Sequence, residues 1–169
     1  MRLLFVMDAN NYAPDAPIFE RPSVRGVMIR EGKIALVHSL LFDYYKFAGG
    51  GAEPGEDHVT TLCREVREEV GLVVKKDSIR PFGRVLRKEK RGEVVLVQQN
   101  YYYLCEAEEG RVECDFDDYE REEGFTLEWV DPKYAILTNR TKEHGKKSPY
   151  MIERESKVLE ILIEEGYFD

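Results

Sequence analysis

Three glutamates in one short segment, Glu65, Glu68 and Glu69, have a spacing that brings carboxylates together. Residues three and four apart lie on the same face of a helix, so Glu65 neighbours both other side chains and their like charges should repel. A bound divalent cation would remove that penalty. The segment follows a glycine-rich acidic stretch, residues 49 to 56, which reads GGGAEPGE. Such a loop running into a helix is suited to holding a hard cation beside a phosphate.

A helix must position these glutamates. Between Asp57 and Val70 the apolar residues recur at helical spacing, which predicts a packed face beside the glutamate face. Gly71 stands where the left-handed end of a helix is expected. A glutamate-rich helix face alone is more often solvated than functional. It is the combination with glycines at a fixed distance that favours a site.

The stretch from Gly50 to Leu72 resembles the signature of the Nudix hydrolases, G-x5-E-x7-R-E-U-x-E-E-x-G-U, in which U is a bulky aliphatic residue. The matching positions are Gly50, Glu56, Arg64, Glu65, Val66, Glu68, Glu69, Gly71 and Leu72. A chance match in a chain of this size has a probability on the order of one in ten million. The resemblance implies the α/β/α sandwich of that family, built around a mixed β-sheet.

The resemblance also implies roles for the matching residues. The expected metal ligands are Glu65, Glu68, Glu69 and the backbone carbonyl of Gly50. Oxygen ligands alone favour Mg²⁺, with Mn²⁺ as the common substitute. Arg64 is itself a cation, so we expect it to pair with acidic motif residues such as Glu56 and to hold the loop on the helix.

A further acidic ligand is expected outside the motif. Residues 123 to 129, EGFTLEW, resemble the E-G-x-x-x-E-W stretch of nucleotide-sanitising, MutT-type members, in which the first glutamate reaches the metal. Glu123 has that position here, with Glu120 and Glu122 as close competitors. Acidic loops are more often only solvated. If Glu123 takes no part, a motif glutamate must orient the attacking water.

Two arginines are candidates for binding the substrate. Arg25 and Arg84 lie on predicted strands, where they could contact phosphates, although each alone is more often structural. The expected partner is a small-molecule nucleotide. The sequence does not identify its base, its sugar, its leaving group or the phosphorus that is attacked, and it does not name the general base.

The pattern of the remaining chain predicts strands on both sides of the motif helix. Strands are expected at residues 2–7, 24–29, 33–38, 44–48, 79–86, 94–105 and 125–130, and helices at 132–137 and 149–165. The runs 24–29 and 33–38 should form a hairpin with Gly32 at the turn. Residues 87–93 should form a solvated turn between the strands at 79–86 and 94–105. Residues 10–22 should form an irregular connection.

Size and composition limit the class of protein. With 169 residues the chain is expected to form one domain, in which residues 1–22 would be a family-specific strand and loop. The net charge of -8 argues against a broad nucleic-acid-binding face. Three cysteines without metal-binding spacing and the lack of any long apolar run predict a cytoplasmic protein that does not enter membranes. A homodimer is left open.

Three functions follow from the resemblance. The first is Mg²⁺-dependent hydrolysis of a phosphoanhydride bond in a nucleoside diphosphate linked to another group, with a nucleoside triphosphate as the preferred substrate. The second is hydrolysis of ADP-ribose or a nucleotide sugar. The third is a ligand-sensing Nudix module without turnover. The intact glutamate set argues against the third, since a protein without metal would have no reason to tolerate this repulsion.

Overall fold

The computed structural model describes residues 1–169 and contains ten strands and four α-helices. The strands are β1 (Leu3–Asp8), β2 (Ile18–Glu20), β3 (Ser23–Val27), β4 (Ile29–Arg30), β5 (Lys33–Ser39), β6 (Tyr44–Phe47), β7 (Gly49–Gly51), β8 (Arg80–Arg91), β9 (Val94–Leu104) and β10 (Phe125–Val130). The helices are α1 (His58–Val70), α2 (Asp118–Glu123), α3 (Pro132–Thr141) and α4 (Pro149–Glu164).

The larger of two sheets has the order β1-β8-β9-β3-β7, and β2 also pairs with β9. This sheet is mixed, because β1 runs parallel to β8 and β3 runs parallel to β9, whereas β8 and β9 form an antiparallel hairpin. The smaller sheet is antiparallel and has the order β10-β5-β4, with β6 also paired to β5. The short strand β7 pairs antiparallel with β3, which places the glycine segment in the larger sheet.

Apolar side chains fill both faces of this strand layer. One buried cluster joins residues of β3 and β5 to Leu62, Val66 and Val70 of α1. The other joins residues of the same two strands to Ala135 of α3 and to the apolar stripe of α4. The strands therefore lie between α1 on one side and α3 with α4 on the other. The predicted α/β/α sandwich with a mixed sheet is confirmed.

Local signals account for the ends of α1. The Asp57 side chain accepts a hydrogen bond from the backbone N–H of Thr60 at 2.7 Å, which caps the first turn. Gly71 has φ +67°, and a Cβ there would lie 2.3 Å from the carbonyl oxygen of Val112. Only glycine satisfies both demands, so the helix ends there.

The predicted hairpin between residues 24–29 and 33–38 is wrong for most of its length. Only β4 pairs with the start of β5, while β3 belongs to the larger sheet. The chain changes sheets at Met28, and the alternation of apolar residues along both strands does not reveal such a change. No helix combines the length and the apolar composition that crossing a membrane requires.

The expected solvated turn at residues 87–93 is also shorter than predicted. Strand β8 continues to Arg91. Arg87 is buried, and its guanidinium donates to Glu89 and to the hydroxyl of Ser148 at the start of α4. The connection between residues 10 and 22 likewise contains the short strand β2.

Candidate active site

Arg64 links helix α1 to the glycine segment. Its Nε and Nη2 donate to the two carboxylate oxygens of Glu56 at 2.7 and 2.9 Å. Nη1 donates to Glu65 at 2.9 Å and to Glu68 at 3.1 Å, and Nη2 also reaches the carbonyl oxygen of Gly51 at 3.3 Å. One planar guanidinium thus holds two helix glutamates and the loop in a fixed arrangement.

Glu56 completes this connection from the loop side. Hydrogen bonds from Arg64 and from the backbone of Glu53 lower the pKa of Glu56 to about 2. Its Oε2 also accepts from the Thr61 hydroxyl at 2.9 Å. Glu56 is therefore an anion at neutral pH, and its donors fix the loop against the first turns of α1.

Glu65 lies directly against the backbone of the glycine segment. A Cβ at Gly50 would fall 2.5 Å from the carboxylate carbon of Glu65, so residue 50 must lack a side chain for this approach. Burial, and then the charge of Glu69, raise the pKa of Glu65, while Arg64 opposes the shift. The site brings a half-buried carboxylate next to the Gly50 peptide.

Glu69 is the most enclosed of the three motif glutamates, with a relative exposure of 1%. Its Oε2 accepts from the backbone N–H of Gly49 at 2.9 Å. Its Oε1 accepts from the ammonium of Lys46 at 2.5 Å. Sequence reasoning missed Lys46, because strand β6 carries no charge pattern that points to a partner on α1.

Glu68 faces an open acidic pocket. This pocket has a volume of about 420 Å³, and Glu65, Glu68, Asp115, Asp117 and Glu53 all line it. Burial raises the pKa of Glu68, against the effect of Arg64. The pocket also includes Arg21, a residue that the sequence did not single out.

Arg21 crosses the glycine segment at the pocket. A Cβ at Gly51 would meet its Nε at 2.4 Å, so the guanidinium lies over the backbone of that residue. The side chain is exposed, and none of the salt bridges in the structure involves it. Its only sequence signal is the Arg-Pro pair before β3, which is not specific.

The two arginines predicted to bind substrate have other partners. Arg25 is buried and donates to the carbonyl oxygen of Gly49 at 2.7 Å. Arg84 donates to the side chain of Gln99 at 2.9 Å within the β8–β9 hairpin. Arg25 therefore supports the backbone beside the pocket, and neither arginine is among the residues that line it.

Glu123 ends helix α2 and is buried. It accepts hydrogen bonds from the hydroxyls of Ser39 at 2.9 Å and Tyr44 at 2.8 Å, and it pairs with Lys147. The ammonium of Lys147 also lies over the rings of Phe42, Tyr44 and Tyr119. Both carboxylate oxygens of Glu123 therefore already have partners in this structure.

Glu120, one turn earlier on α2, is also buried. Burial, and then the charge of Glu69, raise its pKa to about 7, with Lys46 acting in the opposite direction. It also accepts from the backbone N–H of Asp117 at 2.9 Å, closing the capping box of α2. Glu120 is therefore a second acidic residue that belongs to this charge cluster.

The donor atoms of these residues are chemically suited to a divalent cation. No group of three His, Cys, Asp or Glu side chains has an arrangement that could hold a metal ion, and Arg64 and Lys46 contact the carboxylates instead. These two basic side chains contact four carboxylates, those of Glu56, Glu65, Glu68 and Glu69. The remaining negative charge and the oxygen-only donors suit a hard cation.

Comparisons with known proteins identify the fold and the family of this chain. A family model described as a NUDIX domain matches residues 20–152. Among solved structures, a NUDIX hydrolase from Nitrosomonas europaea has a TM-score of 0.59 at 14% identity, over 83% of this chain and 88% of that one. A structure from a study of MutT from Aliivibrio salmonicida and Vibrio cholerae has a TM-score of 0.56 at 18% identity, over 87% and 99%.

A MutT NUDIX hydrolase from Burkholderia pseudomallei has a TM-score of 0.52 at 20% identity, over 68% of this chain and 85% of that one. At such identities these structures show a shared fold alone. No curated protein shows significant similarity to the chain. The family model spans most of the sequence and includes the glutamates, the glycine segment and α2. The chain therefore belongs to the Nudix hydrolase family, whose members hydrolyse nucleoside diphosphate derivatives and generally use divalent metal ions.

Proposed function

We propose that this Nudix hydrolase cleaves a phosphoanhydride bond in a nucleoside diphosphate linked to another group, with a nucleoside triphosphate as its preferred substrate, and that it uses Mg²⁺ or, as a substitute, Mn²⁺. The observation that carries the proposal is the face of α1. There Arg64 holds Glu65 and Glu68 beside the glycine segment, next to an open acidic pocket. A nucleotide's phosphates are the groups that need a metal to approach such a surface.

Metal binding is assigned to Glu65, Glu68, Glu69 and the backbone carbonyl of Gly50. When bound, the cation would neutralise charge on the phosphate oxygens and activate water for attack on phosphorus. Arg64 and Glu56 are positioning residues, since the hydrogen bonds between them hold the loop on the helix. This division follows the family motif, and Glu56 differs from Glu65 and Glu68 in that Arg64 donates to both of its oxygens rather than to one.

One more carboxylate is assigned to the site from helix α2. Glu123 has the position that the MutT-type stretch gives to this role, but its oxygens already have three donors. Glu120 is the competing candidate, because the charge of Glu69 acts on it directly. Glu123→Gln and Glu120→Gln, made separately, distinguish the two candidates. Only replacement of the carboxylate that belongs to the site should reduce the rate of hydrolysis.

Arg21 is the arginine best placed to hold a phosphate. Its guanidinium lies at the acidic pocket beside Gly51 and is free of carboxylate partners. A phosphate group bound between a metal ion and Arg21 would have a positive charge on each side. The contacts of Arg25 and Arg84 instead favour support of the strands.

The experiment is a substrate panel with purified protein and Mg²⁺. Nucleoside and deoxynucleoside triphosphates, ADP-ribose and nucleotide sugars are compared by the release of phosphate, pyrophosphate and nucleoside monophosphate. We expect triphosphates to be cleaved fastest, with activity lost in EDTA and restored by Mg²⁺ or Mn²⁺. A preference for ADP-ribose or a nucleotide sugar would replace the substrate assignment, and activity that survives EDTA would refute the metal assignment.

Variants of the motif test the ligand assignment. Glu68→Gln and Glu69→Gln should each lose activity while the protein stays folded, because each removes a charged ligand but keeps its shape. Glu122→Gln is the matched control, since Glu122 is exposed on α2. Full activity in both motif variants would exclude these two residues as ligands.

A further inference from the structure

Lys46 places an ammonium group inside the carboxylate cluster. Its ammonium lies 2.5 Å from Oε1 of Glu69 and 3.5 Å from the carbonyl oxygen of Gly49. The ring of Phe125 covers it with a centroid distance of 4.9 Å. The side chains of both Lys46 and Glu69 are at least nine-tenths buried. This ion pair is thus enclosed by the protein and only weakly screened by solvent.

The ammonium of Lys46 is one of two donors that contact the Glu69 carboxylate. The other carboxylate oxygen, Oε2, already accepts from the backbone N–H of Gly49. Each oxygen of Glu69 thus already has one donor, and a divalent cation that used Glu69 would lie close to the ammonium of Lys46 at the same carboxylate. Burial raises the pKa values of Glu65 and Glu120, and the charge of Lys46 opposes both shifts. Two cations at one buried carboxylate repel each other strongly.

We propose that Lys46 is an internal counter-cation that competes with the divalent metal ion for Glu69 and so weakens metal binding at the active site. This inference rests on the proposed function, because it assumes that the metal binds at the motif glutamates. In the metal-free protein Lys46 balances the charge of Glu69, which would otherwise be buried with the backbone N–H of Gly49 as its remaining donor. When metal enters, the ammonium must give up this contact.

The test is a titration of the substrate-free protein with Mn²⁺, in which free Mn²⁺ is measured by electron paramagnetic resonance at fixed pH and ionic strength. Lys46→Met should bind Mn²⁺ at least tenfold more tightly than the wild type. Lys46→Arg keeps the positive charge and should stay within twofold of the wild type. Lys157→Met is the control for lost charge, since the ammonium of Lys157 also lies over a phenylalanine ring, that of Phe5, but has no carboxylate partner.

A double variant shows whether the effect passes through Glu69. In the Glu69→Gln background, Lys46→Met should change Mn²⁺ affinity by less than twofold. An undiminished tenfold effect in that background would overturn competition for Glu69. If Lys46→Met does not fold alone, saturating Mn²⁺ should restore its folded circular dichroism spectrum, and failure to do so would overturn the inference.

The outcomes separate this inference from the proposed function. Mn²⁺ binding by the wild type that Glu68→Gln weakens, with no gain in Lys46→Met, would overturn the role of Lys46 alone. Absence of Mn²⁺ binding in both the wild type and Lys46→Met at millimolar concentration would overturn the metal assignment and the role of Lys46 together.

Discussion

The Gly50→Ala variant should change the geometry of the site while it lowers the stability of the fold only slightly. An ideal Cβ at this position would lie 2.5 Å from the carboxylate carbon and from Oε2 of Glu65, and 2.6 Å from Oε1. Ordinary van der Waals contact begins at 3.4 Å, so the shortfall is about 0.9 Å. The backbone of Gly50 does not have a positive φ, so alanine adds no backbone strain there.

The Glu65 carboxylate is the end of a flexible side chain, so it can move by this distance at a small cost. We expect a loss of unfolding free energy near the low end of the range of about 1–3 kcal/mol that is typical of overpacking. Activity should suffer far more. A displacement of about 1 Å in a catalytic arrangement can reduce the rate on the order of 100-fold. The predicted kcat of Gly50→Ala is therefore about a hundredth of the wild-type value.

The assay combines kcat at saturating nucleotide and Mg²⁺ with the midpoint of urea unfolding. Gly92→Ala is the control, because Gly92 has φ +61° in the β8–β9 turn and a Cβ added there would have no atom within 4 Å. That variant should be less stable by about 1–2 kcal/mol, the cost of a left-handed alanine, and fully active. Wild-type kcat in Gly50→Ala, together with an inactive Glu65→Gln, would refute the reasoning.

Three further predictions concern other parts of the site. Arg64→Lys should lower the unfolding free energy in urea by about 1–3 kcal/mol, because lysine cannot make the two-bond contact with Glu56; an unchanged midpoint would contradict this. The pKa of Glu120 is raised from 4.5 to about 7, so its stabilising effect is complete below pH 4.5 and lost as pH rises through 7. Between pH 5 and pH 7.5, at about 25 °C, the stability of Glu120→Gln should therefore fall less than that of the wild type, and parallel denaturation curves would exclude the shift. Arg21→Ala should raise KM about tenfold, a loss of about 1.4 kcal/mol, whereas Arg84→Ala should not; equal KM values in the two variants would remove Arg21 from the site.

Features set by neighbouring residues could be predicted from the sequence. The limits of α1 depend on Asp57 and Gly71, and the shared face of Glu65, Glu68 and Glu69 depends only on the helical period. The helices that cover the opposite face of the sheet also follow from local apolar patterns, as α4 illustrates. These features need no knowledge of how distant segments meet.

Features that depend on contacts between distant segments could not be predicted. Lys46 reaches Glu69 because β6 passes beside α1, and Arg21 reaches the pocket because the chain before β3 crosses Gly51. On α2, Glu120 and Glu123 are three residues apart, so the sequence alone does not decide which carboxylate turns toward Glu69. Such choices depend on the orientation of an element relative to the sheet, and no local pattern records it.

The pairing of β7 with β3 lowers the free-energy cost of binding a ligand at the glycine segment. Hydrogen bonds from Gly26 to Ala48 and from Ala52 to Pro22 flank the pairing of Gly50 with Val24, so the segment is held in the sheet from both ends. Ordering a free loop costs about 1–2 kcal/mol per residue, and here that ordering is complete when the protein folds. The Gly50 carbonyl is thus preorganised, and a cation bound as proposed above would meet a rigid backbone oxygen rather than one it must first immobilise.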